Sequence, residues 1–260
     1  MFEFVEPIGI LKKFVRHYCI VETNNPVDFM PYDRVFPNGN ITMVFHYASP
    51  SKFKQRNGME YTEPDMVICG QQHNYYDLSL AGKTGMIFIV FKTHGAQSFF
   101  NFPILEISNQ NLSMHDIAKD ESRELADKMY LSKSNQQRII HLENFLLKRL
   151  QVYKDFSRME EAVKIIEQSK GQIRTRALAQ EVCLGIKQFE RIFSNHVGLN
   201  PKKYISIVRF QQVLQMSKKQ ANTDLCQLAF DNGYYDQSHF IHDFKRITDV
   251  APREFFSDKD

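Results

Sequence analysis

The feature that most constrains this chain is an internal repeat near its C-terminus. The stretch KQFERIFSNHVGLNPKKYI, starting at Lys187, matches SHFIHDFKRITDVAPREFF, starting at Ser238. Phe189 pairs with Phe240, Phe193 with Phe244, Pro201 with Pro252 and Tyr204 with Phe255, each pair 51 residues apart. Upstream, Leu178-Ala179 pairs with Leu228-Ala229 at an offset of 50, so the second turn is one residue longer. Repeats this specific are seldom accidental. Each copy has a physical logic. A Leu-Ala helix carries a small residue that lets a second helix approach closely. A turn follows, Cys183-Leu184-Gly185 or Asn232-Gly233-Tyr234. The second helix then anchors through two Phe one turn apart, which share one buried face. Each proline suits the first position of the next helix, where its missing N–H is not needed. Asp236 is a good N-cap and Gly185 a tolerable one.

Two helix-turn-helix units are therefore expected. Between them lies one long helix, from Pro201 to about Lys219, with Tyr204, Ile205, Val208, Val213 and Leu214 as apolar members. At 1.5 Å per residue it is about 27 Å long, against about 34 Å for a turn of B-DNA. A connector of that size holds two reading helices on one face of a duplex.

The rest of the chain reads differently. Residues 1–110 are mostly β: 14–22, 40–47, 65–69, 75–80 and 86–92 are short strands rich in β-branched and aromatic residues, with a turn at Pro37-Asn38-Gly39-Asn40. Such spacing predicts a small barrel or sandwich. A single helical turn is expected within 95–102. Helices are expected over 116–130 and 135–151. In the second, Ile139, Leu142, Phe145, Leu146 and Leu150 form one stripe, read first as a packing face and second as a dimer contact. Lys154-Asp155-Phe156-Ser157 is the best boundary, giving a helical linker over 111–156 and a third region over 157–260.

Charge and cysteine usage narrow the function classes. The net charge is +3, and the whole surplus falls after residue 157. That alone does not establish nucleic-acid binding. The four cysteines, Cys19, Cys69, Cys183 and Cys226, form no CxxC pair, and a reduced, cytosolic state is expected. The N-terminus has no signal-peptide pattern, and the longest apolar run, 86–91, is too short to span a bilayer. His46, His73 and His94 raise the alternative of a metal or small-ligand β-barrel with a helical protein-interaction module. They have no HxH or matching Glu spacing. Asp77 and Glu106 form no evident acid–base pair, and no phosphate loop or nucleophile elbow is present. Neither an enzyme nor a bound cofactor is expected. Phe45, Tyr47, Tyr75, Tyr76, Phe88 and Phe91 are read as core rather than as a pocket lining.

Taken together, Leu178-Ala179, Phe189-Glu-Arg-Ile-Phe193, Gly198-Leu-Asn-Pro201, Arg209-Phe210, Leu228-Ala229, Gly233-Tyr-Tyr-Asp-Gln-Ser-His-Phe240, Phe244-Lys245-Arg246 and Pro252-x-x-Phe255 resemble the DNA-binding domain of the AraC/XylS family of bacterial transcription regulators. Arg34-x-x-Pro37-Asn-Gly39 before an apolar strand resembles the sensor-like domain that precedes it in some members. The resemblance implies an α+β chain. A cupin-like N-terminal β domain and a helical linker precede an all-α bipartite helix-turn-helix domain with recognition helices at 186–197 and 237–247. It implies double-stranded DNA as partner, with an effector, a second copy of the chain and RNA polymerase as further candidates.

Carried over by position, the base-facing residues are Lys187, Gln188, Glu190 and Arg191 in the first unit, and Gln237, Ser238, Ile241 and His242 in the second. Ser194, Asn195, Lys245 and Arg246 are the backbone contacts. Arg191 suits a guanine edge, Gln188 or Gln237 an adenine edge, and Ile241 a thymine methyl. Three positions depart from the family. His242 stands where arginine is common, Asp249 where glycine is usual, and Gly185 where a serine cap is usual.

Overall fold

The computed structural model describes residues 2–24, 33–80, 82–217 and 225–257. Ten strands form two antiparallel sheets. The first has six strands: β1 (Phe2–Val5), β2 (Val15–Thr23), β4 (Thr42–His46), β7 (Met66–Cys69), β9 (Thr84–Phe91) and β10 (Asn111–Ser113), in the order β1-β2-β9-β4-β7-β10. The second has four: β3 (Asp33–Val35), β5 (Lys52–Gln55), β6 (Glu60–Thr62) and β8 (Tyr76–Ser79), in the order β3-β8-β5-β6. Among the described residues no strand of one sheet pairs with the other, so the sheets do not close into a barrel.

The central strands of the larger sheet are buried on both faces. Tyr18, Ile20, Met43, Phe45, Ile68, Ile87 and Ile89 lie in one cluster with Leu125, Met129, Ile139, Leu142 and Leu146. The last five belong to α2 (Lys119–Leu131) and α3 (Asn135–Arg149), which follow the short α1 (Met114–Ile117). The backbone breaks between α1 and α2 at Ala118, so the single helix expected over 116–130 is two. The Ile139–Leu146 stripe is packing, as its spacing suggests. On the opposite face Val21, Val44, Val67 and Met86 form a separate small core. Burial of both faces explains why strict alternation understated the strands: Val44 and His46 are as buried as Met43 and Phe45. The expected helical turn is a 3-10 segment at Ala96–Phe99, and a second lies at Ile104–Ile107.

The C-terminal part is helical throughout: α4 (Phe156–Gln168), α5 (Thr175–Glu181), α6 (Ile186–Val197), α7 (Pro201–Ser217), α8 (Leu225–Asp231), α9 (Gln237–Thr248) and α10 (Pro252–Ser257). The described part of the connector ends at Ser217, and the expected Lys218 and Lys219 lie outside the described residues. The repeat generates two cores on either side of α7. Phe189, Phe193, Leu178 and Ala179 pack with Tyr204, Ile205 and Val208. Phe240, Phe244, Leu228 and Ala229 pack with Phe210 and Val213. The left-handed residue in the first turn is Cys183, at φ 55°, rather than Gly185, which is extended and stands as the uncapped N-cap of α6. Asp236 caps α9, its Oδ1 accepting the His239 N–H at 2.7 Å.

Candidate nucleic-acid interface

In α6, burying Phe189, Ile192 and Phe193 leaves Lys187, Gln188, Glu190 and Arg191 exposed. In α9, burying Phe240, Phe244 and Ile247 leaves Gln237, Ser238, His242, Lys245 and Arg246 exposed, with Ile241 half-buried. The 51-residue offset thus presents one face twice, on two helices joined by the 17 residues of α7, a rod of about 25 Å. Among the described residues Lys187, Arg191 and Lys245 enter no ion pair, so their charges stay available to an anion. The remaining two are half-buried. Ser194 donates its hydroxyl to the Glu190 carbonyl at 2.7 Å, so a phosphate contact requires that proton to turn away from the helix backbone. Asn195 lies beside it on α6.

Arg246 is held differently. Its Nη2 is 3.2 Å from Asp243 Oδ1 and donates to Ser206 Oγ at 2.9 Å. Asp243 is buried and gathers further partners: Ser206 Oγ donates to it at 3.1 Å, and Arg209 and His239 lie at 3.9 and 3.7 Å. A buried carboxylate requires such compensation. Asp243 thus ties the second reading helix to α7 at a fixed orientation. A groove of about 350 Å³ lined by Lys202, Lys203, Arg209 and Arg246 runs alongside. Burial, and then the nearby Arg246, lower the Lys203 pKa. Sequence reasoning missed Lys202, Lys203 and Asp243. The available signal was Asn200-Pro201-Lys202-Lys203. Asn200 Oδ1 accepts the Lys203 N–H at 2.8 Å, placing two lysines in the first turn of a helix whose free N–H groups favour phosphate.

The β domain grips this helical unit along three lines. First, the Arg34–Gly39 segment docks on α7. Arg34 is bonded to Asp77 at 2.9 Å and lies over the Tyr75 ring. Phe36 inserts between Phe210 and Phe255, with ring centroids at 5.8 and 5.5 Å. Gln211 donates to the Pro37 carbonyl at 2.6 Å. At Gly39, with φ 77°, a Cβ would lie 2.6 Å from the Tyr204 ring, so only glycine allows the approach. Second, Ile104 packs against Gly198 at the C-terminal end of α6.

Third, the C-terminal end of α9 is capped from the β domain. Its last carbonyls have no partner within the helix. The Tyr75 N–H donates to the Ile247 carbonyl at 3.3 Å, and the Asn74 carboxamide, once turned so that its nitrogen faces the helix end, donates to the Arg246 carbonyl at 2.9 Å. Arg56 donates to the same carbonyl at 3.4 Å and forms an ion pair with Asp249. Asp249 is left-handed, at φ 70°, and is the repeat equivalent of Gly198, at φ 82°. A Cβ at Gly198 would sit 3.0 Å from Ile104 Cγ2, whereas Asp249 faces Arg56. The departure from glycine at Asp249 thereby has a physical account: a carboxylate there has a partner.

His46, His73 and His94 do not come together. His46 is buried against Glu63 at 3.2 Å, His73 meets Lys203 at 3.1 Å, and His94 meets the Phe156 ring edge-to-face. Among the described residues no group of three His, Cys, Asp or Glu side chains is placed to hold a metal, and no helix is long and apolar enough to cross a membrane. Of the aromatic residues read as core, Phe45 and Phe91 are fully buried, while Tyr75 and Tyr76 line a pocket beside the Arg56 contact.

Residues 178–258 match the helix-turn-helix domain family, and residues 3–113 match a domain of unknown function (DUF6597). The chain is 26% identical over 93 residues to an uncharacterized HTH-type transcriptional regulator of Haemophilus influenzae, across 36% of this chain and 31% of that one. It is 28% identical over 98 residues to the HTH-type transcriptional regulator ArgR of Pseudomonas aeruginosa, across 37% and 30%. The chain spans about a third of the length of the curated relatives it matches. Among solved structures, ToxT of Vibrio cholerae aligns at 14% identity and a TM-score of 0.47, over 92% of this chain and 97% of that one. An AraC-type DNA-binding domain protein of Chromobacterium violaceum aligns at 24% identity and a TM-score of 0.36, over 40% and 92%. Residues 178–258 of this chain are a helix-turn-helix domain, joined to an N-terminal β-rich domain of unknown function at residues 3–113.

Proposed function

We propose that the chain is a sequence-specific transcription regulator that reads two adjacent major-groove segments of double-stranded DNA through α6 and α9. The observation that carries this reading is the repetition of one exposed, hydrogen-bonding face on two helices fixed to α7. Lys187, Gln188, Glu190 and Arg191 face bases in one segment, and Gln237, Ser238, Ile241 and His242 in the next. Ser194, Asn195, Lys245 and Arg246 contact phosphates. Arg246 is pre-positioned by Asp243, so less side-chain entropy is lost on contact. The N-terminal domain modulates binding through its contacts on α7 and the ends of both reading helices. The protein carries no catalytic activity and works in the bacterial cytoplasm.

Gel shift against genomic fragments at two salt concentrations tests the reading. Binding that weakens steeply with salt, with a subset of fragments retained over competitor, is the expected result. No shift at low salt, or uniform retention of every fragment, rejects it.

A further inference from the structure

A pocket of about 470 Å³ lies in the β domain against the end of α9. Its walls come from the β5–β6 turn, the loop leading into β8 and the loop leading into β10. The lining is chemically biased. Gln55, Asn57, Gln72, Asn74 and Asn109 supply five carboxamides, with no carboxylate and no aliphatic side chain among the lining residues. Tyr75 and Tyr76 add aromatic surface, and Arg56 is the single charge. A carboxamide both donates and accepts, as a hydroxyl group does, so this set complements a ligand rich in hydroxyls. Asn57 and Asn109 spend their carbonyl oxygens on the Met59 and His73 N–H groups, at 3.0 and 3.4 Å, and keep their NH₂ groups as donors, whereas Gln72 Nε2 donates to the Gly70 carbonyl and Asn111 Oδ1, at 3.3 and 3.2 Å, and keeps its carbonyl as an acceptor.

Arg56 belongs to two structures at once. It lines this pocket, and it holds Asp249 and the Arg246 carbonyl at the end of α9. Its side chain is 40% exposed and that of Asp249 is 32% exposed, so the pair is wet and readily exchanged. A guanidinium accepts one carboxylate in place of another with little change in geometry. The wall next to Arg56 is Asn74, which itself bonds the Arg246 carbonyl, so filling the pocket bears directly on the cap of α9.

We propose that this pocket binds a small polyhydroxylated carboxylate, whose carboxylate replaces that of Asp249 on Arg56 and so releases the C-terminal end of α9 from the β domain. The effect on DNA rests on the regulator reading above; the binding does not. A ligand shifts such an equilibrium only by its differential affinity for the two states. Here the difference is supplied by the exchange at Arg56.

Calorimetric titration of the full chain with D-galacturonate and D-gluconate, and with D-galactose as the uncharged control, tests the site. At least one acid is expected to bind with one site per chain, and galactose at least tenfold more weakly. Arg56→Gln is expected to weaken the acid at least tenfold. Asp249→Asn removes the internal competitor, keeps a residue that tolerates the left-handed backbone, and is expected to strengthen binding several-fold. That gain cannot arise from misfolding. Hydrogen exchange at the amides of Thr248 and Asp249 is expected to quicken when the acid binds. No heat from either acid, equal binding of galactose, an Asp249→Asn variant that binds no better, or unchanged exchange overturns the proposal. If the chain shifts no DNA at all, the regulator reading fails, while calorimetry and exchange still decide this one.

Discussion

Arg56 in the β5–β6 turn pairs with Asp249 at the end of the second reading helix, at the position where the first unit has Gly198. Both positions are left-handed and both abut the β domain. Gly198→Ala places a Cβ 3.0 Å from Ile104 at φ 82° and is expected to lower stability by about 1–3 kcal/mol. Asp249→Gly relieves the backbone while losing a half-exposed ion pair, and is expected to change stability by less than about 1 kcal/mol. Urea denaturation of the two variants checks the contrast; a clear gain in stability for Asp249→Gly would mean that Arg56 does not compensate Asp249.

The division between base and phosphate contacts is separable by residue. Arg191→Ala is expected to relax preference at one base by about 1–3 kcal/mol of discrimination. Lys245→Ala is expected to weaken binding to all sequences alike and to reduce the salt slope by about one. Quantitative gel shift on a site and its single-base variants distinguishes the two. Uniform loss from both would place Arg191 on phosphate.

Asp243 is expected to act through Arg246. Its buried carboxylate balances Arg246 and Arg209 and accepts from Ser206. Asp243→Asn keeps the shape and removes the charge, with an expected stability loss of about 1–3 kcal/mol, since its arginine partners are part-exposed. Freed from Asp243, Arg246 adds to non-specific affinity, so binding to random DNA at low salt should rise while discrimination falls. Unchanged discrimination would leave Asp243 a packing residue only.

Stability should also fall in mild acid. Burial, and next the Lys92 charge, lower the His94 pKa from 6.5 to about 4, and burial lowers that of His196. His94 meets the Phe156 ring edge-to-face, and its Nε2 lies 3.6 Å from Glu160; His196 meets the Tyr153 ring edge-to-face. With the folded pKa below the unfolded one, the unfolded chain takes the proton first. The stability is fully present above pH 6.5 and is lost as pH falls towards 4, by up to about 3 kcal/mol for His94. Urea midpoints between pH 7.5 and 5 should decline, and His94→Gln should flatten that slope. A variant with the wild-type slope would assign it to other groups.

The repeat was legible because its information is local. Phe189 and Phe193, or Phe240 and Phe244, lie one helical turn apart wherever the helix sits, and Asp236 caps α9 through a residue three positions on. The exposed faces of α6 and α9 followed by elimination. Most strands with strong β-branched patterns were legible too. The short strands β1, β3, β5, β6 and β10 were not, because three or four residues carry too little pattern, and β3 and β10 are held by partners distant in sequence.

Spacing within one helix or one turn is enough to specify the pair of helix-turn-helix units, their connector and the side chains they present. The roles of Arg34–Gly39, Arg56 and Asp249 emerge from the packing of the β domain on the helices. In the sequence Asp249 is a departure from the usual glycine, and nothing marks Arg56. Their relation spans the two domains, and an ion pair or a helix cap across such a distance leaves no periodic trace in either segment.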